Sequence, residues 1–290
     1  MAGQATGFAD RCYRDSSATH LKPIARACPE RGKHAPHLSA RTSLISPERI
    51  IVFLKAAING GRSQTERPTV PVTAAEIAAD TLAVLSAGAD VVHFHVRTAD
   101  GGQTIRPEAL THVLSAIRAT APDAVVGTTT GLWTCSGPEE RYLLVSSWEL
   151  LPDFASVAFG EEGAARTAEL VVQRGMALES AVWTMEDVPL LLASSTLHEN
   201  VRILIEPVED DPAQAVAAAR AMAARIQQAG VLCPLLYHGD GPTVWPLVRA
   251  AVQDGHETRV GFEDGMELPD GTTAPDNAAL IIAARAMTTS

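Results

Sequence analysis

The stretch PVTAAEIAADTLAVLSAGADVVHFHVRTADG, residues 71–101, sets a helix directly before a buried strand, and that order decides the fold. Thr73 with Glu76 three residues on is a capping box: the hydroxyl accepts from a free amide of the first turn, and the carboxylate reaches back to the Thr73 amide. A segment of helical length follows, up to Gly88, which suits a left-handed stop. The run VVHFHV from Val91 is short, apolar and rich in β-branched residues, the mark of a strand. A helix handing over to a strand in this way is one joint of a βα repeat, in which parallel strands are covered by crossover helices.

Working outward, the same alternation runs from Ile50 to the end. Eight runs qualify as strands: IVFLKAAI at 51–58, VVHFHV from Val91, AVVGTTT from Ala124, FASVAFG from Phe154, ALESAVW from Ala177, RILIEPV from Arg202, PLLYHG from Pro234 and TRVGFED from Thr258. Among the helices between them, AQAVAAARAMAARIQQAG opens on Asp211-Pro212, a capping carboxylate followed by a proline where no amide partner is needed. Eight units over roughly 240 residues match a closed (β/α)₈ TIM barrel. A doubly wound sheet is the alternative, but no GxGxxG follows the first strand.

Residues 50–290 are therefore expected to form one barrel catalytic domain. Residues 1–49 read differently, with eight Lys or Arg against four Asp or Glu and no helical or strand period. They are expected to be an irregular, poorly ordered N-terminal extension. Asp10, Asp15 and Glu30 argue against an acid-poor transit peptide.

With 46% hydrophobic residues and only 4% aromatic, the 290-residue chain suits a layered interior packed by aliphatic side chains. No apolar run approaches the roughly 20 residues of a membrane span, and no secretory signal opens the chain, so a cytoplasmic protein is expected. Cys12, Cys28, Cys135 and Cys233 lack CxxC spacing and read as reduced thiols. The net charge of −11 opposes binding to nucleic-acid phosphates.

Barrel active sites lie at the carboxyl ends of the strands, so the polar residues ending each run are the candidates. They are Asn59-Gly60-Gly61-Arg62, then His93, His95 and Arg97, then Thr128-Thr129-Thr130-Gly131, with Ser156, Glu179, Glu206 and His238 on the next four strands and Arg259, Glu263 and Asp264 on the last. His93 and His95, two apart on a strand, face the same way and can converge on one ion. Glu263 is the best third ligand, because the last strand of a closed barrel lies beside the first, and the second is next. Two imidazoles and a carboxylate with open positions suit catalytic Zn²⁺, and the set can also hold Fe²⁺ or another divalent metal. The competing reading is a pair of structural histidines satisfied by polar neighbours. Arg259, on the face of Glu263 with Gly261 between them to leave space in the barrel, points to an anionic substrate. A plain salt bridge to Glu263 or Asp264 is its structural alternative.

These residues resemble the β-keto acid cleavage enzymes. The resemblance covers about residues 50–287 and rests on the quoted stretch 71–101, on TTTGLW, on LPDFASVAFGEEGA and on ETRVGFEDGMELPDGTTAPDNAALI. It implies a zinc-dependent (β/α)₈ enzyme taking a β-keto acid and acetyl-CoA to a CoA thioester and acetoacetate, as a homo-oligomer such as a tetramer. It also implies metal ligands at His93, His95 and Glu263, catalytic roles for Arg259 and Asp264, and substrate contacts at Thr129, Ser156 and Glu179. The family's well-studied member has a glutamate after the first strand where Asn59 and Arg62 here border the glycine pair, and Ala158 stands where an asparagine is expected, so the amino-substituted substrate of that member is not expected to carry over. Asp264, beside a cation, is expected to be ionised and to serve as general base. Arg62, Arg97 and Arg106 are the cations available to CoA phosphates, and the HGDG turn at 238–241 offers backbone amides. A zinc hydrolase of the amidohydrolase type and a catalytically silent metabolite binder are the competing functions.

Overall fold

The computed structural model describes residues 52–288. The extension expected over residues 1–49, with Cys12 and Cys28, lies outside the described residues.

The elements run β1 (Leu54–Ala57), α1 (Ala74–Ser86), β2 (Val91–Phe94), β3 (Val96–Arg97), β4 (Gln103–Thr104), α2 (Pro107–Thr120), β5 (Val126–Thr129), α3 (Pro138–Ser146), β6 (Phe154–Ala158), α4 (Ala164–Gln173), β7 (Ala177–Val182), α5 (Asp187–Leu192), β8 (Asn200–Ile205), α6 (Pro212–Gln228), β9 (Leu235–Tyr237), α7 (Val244–Asp254), β10 (Glu257–Val260) and α8 (Asn277–Thr288). Eight strands close into a parallel barrel in the order β1-β2-β5-β6-β7-β8-β9-β10, sealed where Leu54 and Ala56 stand opposite Thr258 and Val260. All eight strands read from the sequence are present, and the fold is a (β/α)₈ barrel. The local signals are obeyed as well. Thr73 and Glu76 form both halves of the capping box on α1, Gly88 follows it with φ of 111°, and the Asp211 carboxylate accepts from the amides of Ala213 and Gln214.

One feature is additional: β3 and β4 form a small antiparallel hairpin after β2. The second strand run therefore breaks at His95, which lies between β2 and β3.

Aliphatic side chains of sheet and helices join in one buried cluster that includes Ile77, Val84 and Leu114 from the helices and Val92 and Phe94 from β2. The lumen departs from the aliphatic filling expected of it. Lys55 on β1 pairs with Glu179 on β7, and Arg202 on β8 bridges Glu179 to Glu257 on β10. β1 and β7 are far apart round the ring, so the Lys55–Glu179 pair crosses the lumen. Both side chains are fully buried. Phe154 fills space that Gly127 leaves open, and the Lys55 ammonium lies 4.9 Å from its ring centre. Isolated charges at this depth cost several kcal/mol each, which is why the four residues form one continuous chain of ion pairs.

The outer shell holds a further, half-buried acid, Asp80. The Asn277 side chain on α8 donates to the Ile58 carbonyl and to Asp80 on α1, and accepts from the Phe262 amide. This ties α8 and α1 to the segment that follows β10. Burial raises Asp80 to about 7, against the hydrogen bond from Asn277. An acid whose folded pKa exceeds its unfolded value near 3.8 binds more protons when folded, so it lowers stability progressively as pH climbs from about 4 to 7. Asp80→Asn keeps an acceptor for Asn277 and is expected to raise Tm by about 2–4 °C at pH 8, with no gain at pH 4, in thermal melts followed by circular dichroism.

Candidate active site

His93 is the third residue of β2, which is buried throughout, and its backbone partner on β1 is Ala57. His95, one step beyond the strand, keeps the same heading because Asn59 grips its backbone from both sides: the Asn59 side chain accepts from the His95 amide at 2.7 Å and donates to the His95 carbonyl at 2.9 Å. The imidazole is set by Gln103 on β4, whose side-chain oxygen receives His95 Nδ1–H and, at 3.2 Å, the donor-only indole of Trp133. With its proton on Nδ1, His95 presents the Nε2 lone pair to the site. The β3–β4 hairpin thus supplies the residue that fixes the tautomer.

Glu263 reaches the same point from the turn after β10. That turn starts at Gly261, and a Cβ there would meet the Ala57 carbonyl at 1.9 Å. The glycine admits the β1 backbone and does not clear the lumen, contrary to the sequence reading. Glu263 sits beyond the strand, anchored by its amide to the Ala57 carbonyl at 3.1 Å.

The Nε2 atoms of His93 and His95 lie 3.0 Å apart, with Glu263 oxygens 3.8 and 3.5 Å from them. His93, His95 and Glu263 can each aim one ligand atom so that all lie within 4.8 Å of one another. His93 Nδ1 and Glu263 Oε2 are buried without a hydrogen-bond partner. Two imidazole lone pairs and a carboxylate facing one another with so few protons to share repel unless a cation sits among them, so the donor set fits a divalent ion. Burial pushes His93 well below the usual histidine range. Burial pulls Glu263 upward, but Arg259 and the two imidazoles outweigh it and hold it well below the usual carboxylate range.

Arg259, inside β10, is the cation of the site. Its Nε and Nη2 bond both oxygens of Asp264 at 2.6–3.2 Å, and Nη2 also donates to Glu263 at 2.9 Å. Burial raises Asp264 to about 7 against the pull of Arg259. The carboxylate expected to be firmly ionised is thus poised near neutrality.

The three ligand candidates and Arg259 line a cavity of about 430 Å³ with Thr129, Ser156, Trp133, Trp183 and Glu206. Thr129 Oγ1 accepts from the Gly131 amide, leaving its own hydrogen to donate into the cavity. Other sequence candidates lie elsewhere. Glu179 is in the lumen chain, bonded to Lys55 and Arg202, and does not line the cavity. Asn59 spends its side chain on His95 and on the Pro71 carbonyl. Arg62 pairs with Asp240 at 2.7 Å, and Arg97 bonds the carbonyls of Gly60 and Arg62. Arg106 is at the surface near Glu140. His238 is fully buried, with Nδ1 3.8 Å from Asp264. Trp133, Trp183 and Gln103 were not singled out by the sequence. The tryptophan of TTTGLW, a large aromatic ring just past a strand end, was the available signal.

A profile of β-keto acid cleavage enzymes matches residues 51–233 and 208–290. The chain belongs to the β-keto acid cleavage enzyme family. It is 27% identical over 246 residues to the 3-keto-5-aminohexanoate cleavage enzyme of Acetoanaerobium sticklandii, covering 79% of this chain and 89% of that protein. Over 109 residues, 37% of each chain, it is 35% identical to the 3-oxoadipate:acetyl-CoA acetyltransferase of Cupriavidus necator. Among solved structures it superposes on a ternary complex of ObcA with a C4-CoA adduct and oxalate, with a TM-score of 0.62 at 17% identity, covering 76% of this chain. This chain spans 63% of the length of that ObcA chain, so the likeness concerns the barrel fold. Among the described residues no helix is long and apolar enough to cross a membrane.

The grip of Asn59 on His95 is testable without substrate. Asn59→Ala should weaken zinc affinity about 10–100-fold in chelator competition, by freeing the His95 backbone. Wild-type affinity would show that His95 is oriented by Gln103 alone.

Proposed function

We propose that this family member is a metal-dependent acyltransferase, in which His93, His95 and Glu263 hold the ion while a β-keto acid and acetyl-CoA are converted to a CoA thioester and acetoacetate. The observation that carries the reading is the convergence of two proton-poor imidazoles and an unpartnered buried carboxylate oxygen beside a permanently charged arginine. When bound, a divalent ion would act as a Lewis acid on a keto oxygen. Zinc suits the donor set best, with Fe²⁺ the other choice.

Arg259 lines the cavity and has Nη1 outside the bonds it makes to Asp264 and Glu263, a donor with which to receive the substrate carboxylate. Asp264, poised near neutrality, takes a proton from the acetyl-CoA methyl or the adduct hydroxyl and later returns it. The Thr129 and Ser156 hydroxyls donate to oxygens on which charge builds as the carbon–carbon bond forms and breaks. The relatives named for 3-oxoadipate with acetyl-CoA and for a CoA adduct support the co-substrate, and the family match favours this reading over an amidohydrolase. Arg62 and Arg97 are each already engaged, and in the 238–241 turn the amides of His238, Asp240 and Gly241 donate to the Ile205 carbonyl, the Thr243 hydroxyl and the Asp264 carbonyl.

His93→Ala and Glu263→Ala should each lose the bound metal by elemental analysis, and full stoichiometry in either variant would remove that residue from the ligand set. Asp264→Asn should keep metal and fold and lower kcat by about 10²–10⁴. Wild-type turnover in that variant would take Asp264 out of the chemistry.

A further inference from the structure

We propose that Asn277 is a positioning residue for the metal: its buried carboxamide sets the spacing between the end of β1, to which His93 and His95 are bonded, and the turn that delivers Glu263. The proposal rests on the ligand set read above and extends it to the far end of the chain, where the APDNAALI stretch opens α8.

β1 and β10 pair as far as Ala56 opposite Val260. Past that rung the β10 chain leaves the ladder, turning at Gly261 against the Ala57 carbonyl. Asn277, the first residue of α8 and 1% exposed, takes up the bonds beyond the turn. Its Oδ1 accepts from the Phe262 amide at 2.7 Å, and its Nδ2 donates to the Ile58 carbonyl at 2.8 Å and to Asp80 at 2.7 Å. A carboxamide carries a donor and an acceptor as a peptide does, so it stands in for the next rung between the two segments. Only one orientation is allowed, because turning it over would set its hydrogens against the Phe262 amide and its oxygen against two acceptors.

Both clamped residues adjoin the metal ligands. Phe262 directly precedes Glu263. Ile58 donates its amide to the His93 carbonyl at 3.1 Å and precedes Asn59, whose side chain grips the His95 backbone. The backbones of all three ligands are therefore tied, through one or two residues each, to a single side chain. That side chain is itself held in place: Asp276 accepts from the Ala279 amide at 2.8 Å, and Thr69 and Arg67 donate to the Pro275 carbonyl at 3.2 and 3.3 Å.

Glu263 comes off a turn and not off a strand, so the ladder alone does not set its distance from the imidazoles. Without the carboxamide, the Phe262 amide and the Ile58 carbonyl are buried polar groups that must find water or close on one another. Either way the Glu263 turn shifts against His93 and His95, and a metal site is sensitive to such shifts. A residue that served the fold alone would lower Tm and leave the ion as it was.

The test uses the full-length chain loaded with zinc or with Co²⁺, read by chelator competition and by the visible absorption of the Co²⁺ form. Asn277→Ala should weaken zinc about 10–100-fold and shift the Co²⁺ bands. Ile226→Ala, which empties a fully buried position on α6 away from the site, should lower Tm and leave both readouts at wild type. Where Asn277→Ala does not fold, Asn277→Ser, which retains a hydroxyl, is read in the same way. Wild-type affinity with unchanged Co²⁺ bands in a folded Asn277 variant, or an equal loss in Ile226→Ala, overturns the proposal and leaves the ligand set standing. A wild-type chain that binds neither ion overturns both.

Discussion

A guanidinium cannot shed its proton at any pH a protein survives, and Arg259 is buried at 4% exposure inside a closed barrel. The rest of the site follows from that one charge. Water does not neutralise it there, so acids must, and Asp264 and Glu263 do so from the turn that follows β10. The turn has to bend back sharply to deliver both, which it does at a glycine pressed against the Ala57 carbonyl. Holding two carboxylates on one arginine then divides their behaviour. Glu263, close also to both imidazoles, is held ionised, whereas Asp264 is lifted toward neutrality.

The barrel carries a second set of charges below the site. Lys55, Glu179, Arg202 and Glu257 pair across the lumen, where many barrels stack branched aliphatics. Such a chain is weak evidence for stability, because its attraction mainly offsets desolvation. Its effect on the site is electrostatic: the Lys55 charge acts on both His93 and His238 and helps to keep them neutral. Neutral imidazole is the form that binds a metal.

Much of this was legible in the sequence where the signal is local. Strand runs, the Thr73–Glu76 box, the Asp211 cap and the HxH spacing each depend on a few adjacent residues, and each appears where the sequence puts it. What could not be read depends on contacts distant in sequence. Gln103 orients His95 only because a two-residue hairpin folds it back, and nothing in its own neighbourhood marks it. Gly261 looks like space for a side chain until the β1 backbone is seen beside it.

Glu179 shows how far the rule of strand ends can be taken. It stands in register with Ser156, which lines the cavity, yet it lies in the ion-pair layer beneath. Following register partners from strand to strand round the ring returns to β6 about eight residues from the start, the shear of this barrel class. Each step round the barrel therefore shifts a residue along the axis relative to its register partner, and inward side chains of adjacent strands fall in alternate layers. A polar residue at the end of one strand can face substrate while its partner on the next is part of the floor. Chain position gives the strand, and only closure of the ring gives the depth.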